Sequence, residues 1–299
     1  MKKTRQAAVE RAFVAPVFVD PLTDFGFKKV FHNKEKLMHF LNEILSEERI
    51  TKVEYLPVEQ LGRSKDERRA VFDIYCTNEK GEHFIVEMQS APQRFFSDRA
   101  IFYTAFPIRS QAQKGEWDYH LKAVYFVGIL DHVMFAEPEV ADKYIENVYL
   151  YRETAKKKFS DTLHYVFIEL PKFTKQAHEL QTPADVWLYT LKNMWKLAER
   201  PAEIQDKFFA QLYDDLIYEQ LTEEEKDMYR KNILDVAVVR DQISYSYERG
   251  ALVERGKLMP EITAIKKENV NLHTSIADRD KKIAELEQRL QQQQQNQQQ

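Results

Sequence analysis

The alternation of apolar and polar positions is sharpest between Val71 and Gln89, VFDIYCTNEKGEHFIVEMQ, where both halves read as strands and Asn78, Glu79, Lys80 and Gly81 supply the turn. This predicts a β-hairpin. With the turn centred near Lys80, antiparallel pairing opposes residues whose numbers sum to about 160, which sets Asp73 across from Glu87. The strand period of two places Glu87 and Gln89 on one face and Phe84, Val86 and Met88 on the other.

The segments on either side supply the rest of a layered fold. Leu37, Phe40, Leu41, Ile44 and Leu45 recur at helical spacing, predicting a helix packed on a sheet. Before it, residues 23–29 combine Asp24, the flexible Gly26, Lys28 and Lys29 in a helix approach, and Asp24 reads equally as a helix cap. ITKVEYLPVEQL reads as a strand and LGRSKDERRA as a charged connector into the hairpin. After Gln89, the residues Phe95, Arg99, Phe102, Tyr103 and Phe106 fit a helix facing both core and site, with Pro107 a kink point and Gly115 its end. KAVYFVGIL is an unbroken apolar run, as in a strand buried on both faces; NVYLYRE and HYVFIELP predict further strands.

From residue 183 the pattern is helical, with Trp187, Leu188, Leu191, Met194 and Trp195 forming a core stripe and Thr222 to Glu225 a capping box. From Ile262 a heptad places Ile262, Asn269, Ile276, Ile283 and Leu290 at a, and Ile265, Leu272, Arg279 and Leu286 at d. Isoleucine at a with leucine at d favours a parallel homodimer, whose register Asn269 would fix. The segments are thus a tail (1–17), a core (18–182), a helical extension (183–256), a coiled coil (257–290) and a disordered Gln-rich end (291–299).

Composition narrows the function classes. The net charge of −4 argues against a globally basic nucleic-acid coat but permits a local basic groove. A lone cysteine, Cys76, excludes an intramolecular disulfide framework and a Cys-based zinc site. No apolar run reaches the roughly 20 residues of a membrane span, and Glu10 and Arg11 interrupt any leader, so the expectation is a cytoplasmic protein without a membrane partner. Seven glycines, no GxxxxGK[ST] and no HExxH exclude a phosphate-cradling loop and a zincin site, so no organic cofactor is expected.

Chemistry then concentrates on the hairpin. Opposed carboxylates destabilise strands unless a cation lies between them, and a hard divalent ion with oxygen ligands meets that need. The bland alternative is an amphipathic hairpin with one polar face in water. An acid on the second strand of a meander, Glu-x-Gln on the third and a following helix together resemble the PD-(D/E)XK nuclease superfamily. The similarity is to its Rpn-like branch of recombination-promoting nucleases and putative transposases. Asp24, Phe27, Lys28 and Phe31 stand in that branch's approach segment, followed by FDI (72–74), VEMQ (86–89), the helix with Arg99 and Tyr103, and FIELPKF (167–173). The likeness spans most of residues 18–256, with Gln89 where the superfamily usually carries lysine.

The resemblance implies an α/β fold: a restriction-endonuclease-like core, in which helices flank a central mixed sheet, followed by a helical extension and coiled coil. It also implies a metal-dependent DNA endonuclease associated with mobile elements or recombination. Phosphodiester hydrolysis needs a nucleophilic water, charge neutralisation and a stabilised leaving oxygen, all of which divalent ions serve. Asp73, Glu87 and the Met88 carbonyl are then the expected ligands for Mg²⁺ or Mn²⁺, and Gln89 orients water or holds a phosphate oxygen. Asp24 is a supporting acid; Lys28, Arg94 and Arg99 contact phosphate; Tyr103 packs. A catalytically weak nucleic-acid-binding or self-associating scaffold is the alternative reading.

Overall fold

A computed structural model describes residues 14–45, 49–60, 70–112, 115 and 117–297. Most of the N-terminal tail, with Glu10 and Arg11, and nearly all of the charged connector therefore lie outside the described residues. The chain divides into two units, Met1–Val239 and Arg240–Gln299.

In the first unit, helices α1 (Asp24–Phe31) and α2 (Lys34–Ile44) precede strands β1 (Val53–Tyr55), β2 (Glu59–Gln60), β3 (Ala70–Val71), β4 (Ile74–Asn78) and β5 (His83–Gln89). Helix α3 (Phe96–Ser110) follows, then β6 (Val124–Leu130), β7 (Ile145–Tyr149), β8 (Tyr151–Arg152), β9 (Lys157–Lys158) and β10 (Leu163–Glu169). Helices α4 (Pro183–Asn193) and α5 (Lys207–Asp214) lead to α6 (Glu223–Gln297), which runs on into the second unit. The main sheet has the order β1-β4-β5-β6-β10-β7. β5, β6 and β10 are parallel, while β1, β4 and β7 run antiparallel to their neighbours. The fold is thus mixed α/β with a central mixed sheet, as the resemblance implies.

Helices cover both faces. On one, Ile74, Cys76, Phe84, Val86, Val127 and Ile129 pack with the stripe Leu37, Phe40, Leu41, Ile44 and Leu45, and with Trp187 and Leu212. On the other, Tyr75, Ile85, Phe126 and Phe167 pack with Phe96, Ala100 and Phe106 of α3. The hairpin face bearing Glu87 and Gln89 is the α3 face, so it is covered rather than water-facing: Glu87 is 3% exposed and Gln89 8%. β6 is buried along its whole length, as its unbroken apolar run requires.

Three local expectations change. The stripe assigned to α3 holds in part: Phe106 is buried, Tyr103 packs on the same core and Arg99 reaches Glu87, but Phe95 and Phe102 are exposed, and the buried Phe96, Ala100 and Thr104 lie outside it. Phe95 is the N-cap, in a left-handed conformation (φ 63°) outside the helix, so counting from it misplaces the buried face. Helix α3 also ends at Ser110, before Gly115. Gly26 serves close approach rather than flexibility: a Cβ there would lie 2.0 Å from the Asp20 carbonyl oxygen. The capping box at Thr222 is present, with Glu225 N–H donating to Thr222 Oγ1 (3.2 Å) and Thr222 N–H to Glu225 Oε2 (2.9 Å).

In the second unit, heptad positions Ile262, Ile265, Leu272, Ile276 and Ile283 are exposed along one continuous helix. The side chains of Leu286 and Leu290 and the Gln-rich tail's side chains lie outside the description.

Candidate active site

The β4–β5 register pairs Ile74 with Val86, Tyr75 with Ile85, Cys76 with Phe84 and Thr77 with His83. One step further, at the end of β4, Asp73 lies opposite Glu87. Here the ladder stops and the acids take over its donors. Asp73 N–H donates to Glu87 Oε1 (3.0 Å), and Met88 N–H donates to Asp73 Oδ2 (2.8 Å). Phe72 N–H, which continued pairing would direct at the Met88 carbonyl, turns instead to Val58 O (3.0 Å).

Along the parallel β5–β6 ladder, His83 N–H bonds Ala123 O and Gln89 O accepts from Asp131 N–H, so odd residues of β5 bond towards β6. Met88, an even residue, directs its backbone groups towards Asp73. The Asp73 and Glu87 carboxylates and the Met88 carbonyl therefore gather at one strand end, and two of the three already face each other.

The electrostatics of the pair are unfavourable without a cation. Burial, then the Asp73 charge, pushes Glu87 up to about 8 against the opposing pull of Asp73 N–H and Arg99. Asp73 is also raised, first by burial and further by Asp24, while the Met88 N–H, Lys28 and Arg99 act the other way. Asp24 and Lys28 thus act on the same acid as Arg99 does, from the opposite element.

Asp24 itself sits in the first turn of α1 and pairs with Lys28 (2.7 Å); the cap is Thr23, whose hydroxyl accepts from Gly26 N–H (3.0 Å). Arg99 reaches Glu87 from α3, with Nη2 3.6 Å from Oε2. Its guanidinium lies over the rings of Phe96 (4.9 Å) and Tyr103 (5.4 Å), and Nη1 donates to Gln93. The buried Nε and Nη2 have no hydrogen-bond partner among the described residues, and Nη2 is the nitrogen that approaches Glu87. Among the described residues no hydrogen bond ties down the side-chain amide of Gln89. Arg94 is exposed and stacks on Phe95 (4.9 Å), and among the described residues it makes no ion pair with the acids.

Two residues at the same sheet edge were missed by the sequence reading. Glu169 aligns with Leu130 and so with Gln89 across the parallel strands. It is fully buried, accepts the N–H groups of Met134 and Phe135, and pairs with Lys172 (2.7 Å). Lys172 also donates to the carbonyls of Phe135 (2.7 Å) and Val140 (3.0 Å). All three of its donors are occupied, so it fixes the loop after β6 and supplies no free cation for the acids. In that loop His132 is held below its ordinary pKa by burial, and among the described residues its buried Nδ1 has no hydrogen-bond partner. The only sequence signal was the Glu-Leu-Pro-Lys run within FIELPKF.

The donor set suits a hard divalent ion. No group of three or more His, Cys, Asp or Glu side chains able to hold a metal occurs among the described residues. Two carboxylates and a carbonyl nonetheless match Mg²⁺, which binds through one or two carboxylates and keeps waters and substrate phosphate as its other ligands.

A family model, PD-(D/E)XK nuclease family transposase, matches residues 21–245. The chain belongs to this family. The match takes in α1, the hairpin, α3, the whole main sheet and the first turns of α6, and so every candidate residue above. No curated protein and no solved structure matches the chain. A PD-(D/E)XK nuclease family transposase is a nuclease-type or transposase-type protein, and such nucleases typically use divalent metals and act on DNA. No helix among the described residues is long and apolar enough to cross a membrane.

Proposed function

We propose that the chain is a Mg²⁺- or Mn²⁺-dependent endodeoxyribonuclease of the Rpn-like transposase or recombination-promoting type, associated with mobile elements or DNA recombination. The observation that carries this is the pairing of half-buried Asp73 with buried Glu87 at the end of the β4–β5 ladder. Burial and mutual repulsion favour a cation at this pair, and membership of a nuclease family supports reading that cation as catalytic.

Asp73, Glu87 and the Met88 carbonyl would hold the metal, which supplies an activated water and neutralises charge on the phosphate. Gln89, its amide untethered, orients the water or a phosphate oxygen. It is neutral, so it adds little charge stabilisation. Arg99 would add the positive charge, its buried Nε and Nη2, which have no hydrogen-bond partner among the described residues, donating to a phosphate oxygen. Asp24 holds Lys28 beside the acids, and Lys28 and Arg94 contact the backbone phosphates of DNA.

The exposed isoleucine and leucine positions of the heptad support a homodimer through a parallel coiled coil, which would bring two active sites to one duplex. A cytoplasmic setting fits the lone cysteine, Cys76, which can form no intramolecular disulfide.

Plasmid nicking with Mg²⁺ or Mn²⁺ tests the reading. Wild type converts supercoiled to open-circular DNA and Asp73→Ala does not. Equal activity in the two removes the proposed site, and no cleavage with either ion favours the weak or inactive binding scaffold.

A further inference from the structure

Beside the acid pair, a groove of about 640 Å³ runs between α1 and the first turns of α6. Asp24 and Lys28, whose charges act on Asp73, also line it, so the groove adjoins the active site. Its two walls are fastened to each other: Asp20 N–H donates to Tyr229 Oη (3.0 Å), Phe25 N–H to Asn232 Oδ1 (2.6 Å), and Lys29 pairs with Glu225 (2.7 Å). The groove is therefore a fixed feature of the first unit.

Its chemistry is basic above an apolar floor. Lys28, Lys29 and Lys231 line it against two carboxylates, Asp24 and Glu225. Both carboxylates are taken up, by Lys28 and Lys29, whereas exposed Lys231 has no ion pair among the described residues. His32, also in the lining, is held below its ordinary pKa by burial and by Lys28, so it is neutral near pH 7. The Phe25 ring and the half-exposed Met228 provide the apolar surface. Asn232 accepts the Phe25 N–H with its oxygen, and among the described residues its NH₂ group donates no hydrogen bond. Lysines beside an aromatic and a thioether, in a channel that starts at a cation site, match a single nucleic-acid strand: phosphates on the lysines, a base against the floor.

We propose that this groove holds the DNA strand flanking the scissile phosphate, in single-stranded form, with Lys231 on its backbone and Phe25 and Met228 under a base. The inference rests on the nuclease reading for the identity of the ligand, but its test needs neither metal nor turnover.

The test uses the full-length protein in EDTA and a fluorescein-labelled 20-nucleotide single-stranded DNA, read by anisotropy across a salt series. Lys231→Glu should weaken binding about tenfold and lower the salt slope by about one. Met228→Ala should weaken it about threefold with the slope unchanged, as loss of a base contact would. Lys143→Glu, just before the far edge strand β7, should leave both unchanged. Wild-type affinity and slope in both groove variants overturn the proposal, as does an equal loss in Lys143→Glu or no binding by wild type. Plasmid nicking on the same preparations separates the two readings. Loss of binding in the groove variants with no cleavage by wild type leaves the groove and removes the nuclease. Cleavage by wild type with unaltered binding in the variants does the reverse.

Discussion

Glu87→Gln isolates the electrostatic tension of the site. Glutamine keeps the shape and the oxygen that accepts Asp73 N–H, but it carries no charge at any pH. In the wild type without metal, Glu87 has a folded-state pKa of about 8 against an ordinary value of 4.5. The folded protein therefore binds more protons than the unfolded chain between these values. Its stability falls as pH rises through that window, most of the change coming between pH 5 and pH 8. At 1.36 kcal/mol per pH unit, a shift of this size sets a ceiling of about 5 kcal/mol. Because Asp73 shares the repulsion and glutamine forgoes the attraction of Arg99, we expect roughly half of that ceiling to separate the two proteins.

The assay is thermal unfolding in EDTA at pH 5, 6.5 and 8. At 2–4 °C per kcal/mol for a unit of this size, the melting temperature of the variant relative to wild type should rise by roughly 5–10 °C from pH 5 to pH 8. Taking the difference between pH values cancels any constant cost of placing an amide beside the unpartnered Arg99 nitrogens. Mg²⁺ at pH 8 should raise the wild-type midpoint more than the variant's, since the variant keeps Asp73 but lacks the Glu87 charge. A difference independent of pH would refute the account of the acid pair, and equal Mg²⁺ shifts would refute the metal site.

Other consequences can be checked directly. Lys172→Met leaves the fully buried Glu169 carboxylate without its counter-ion and should cost about 3–5 kcal/mol in urea denaturation; a loss under 1 kcal/mol would show that the pair does not fix the loop. Gly26→Ala places a methyl group against the Asp20 carbonyl and should cost about 1–3 kcal/mol, read as a lowered melting temperature. Ile276→Lys at a heptad a position should convert a dimer to a monomer by light scattering while leaving the melting of the first unit unchanged; a wild-type monomer would remove the coiled-coil dimer.

What could be read from the sequence was what depends on near neighbours. The hairpin register follows from a period of two and one turn, and Ile74 does face Val86 as the expected pairing requires. The stripe of α2 and the apolar run of β6 likewise carry their burial in their own spacing. The phase of α3 did not follow, because Phe95 adopts a left-handed cap that no periodicity reveals. The closure of the site face by α3 needed the tertiary fold as well, since Glu87 and Gln89 alternate as a wet face would. The groove is the extreme case: the hydrogen bond from Asp20 to Tyr229 joins residues 209 positions apart.

The position of the acids explains why a buried like-charged pair is tolerated. Inside a ladder, two opposed carboxylates would add repulsion while every backbone group was already paired. At Asp73 the ladder ends, and the amides of Asp73 and Met88, which need partners, take the two carboxylates in place of carbonyls. The strand end thus satisfies its own donors with the acids it must hold, and directs the Met88 carbonyl at the same place. Apolar packing on both faces of the sheet keeps Glu87 buried. Burial is also what raises Glu87, so the features that build the site leave it short of positive charge in the absence of metal. Arg99 answers that deficit only in part, from 3.6 Å and with two donors unused. Shortening Arg99 to lysine should therefore preserve the fold yet weaken phosphate binding in EDTA, because a point charge on a shorter stem cannot present the paired Nε and Nη2 donors.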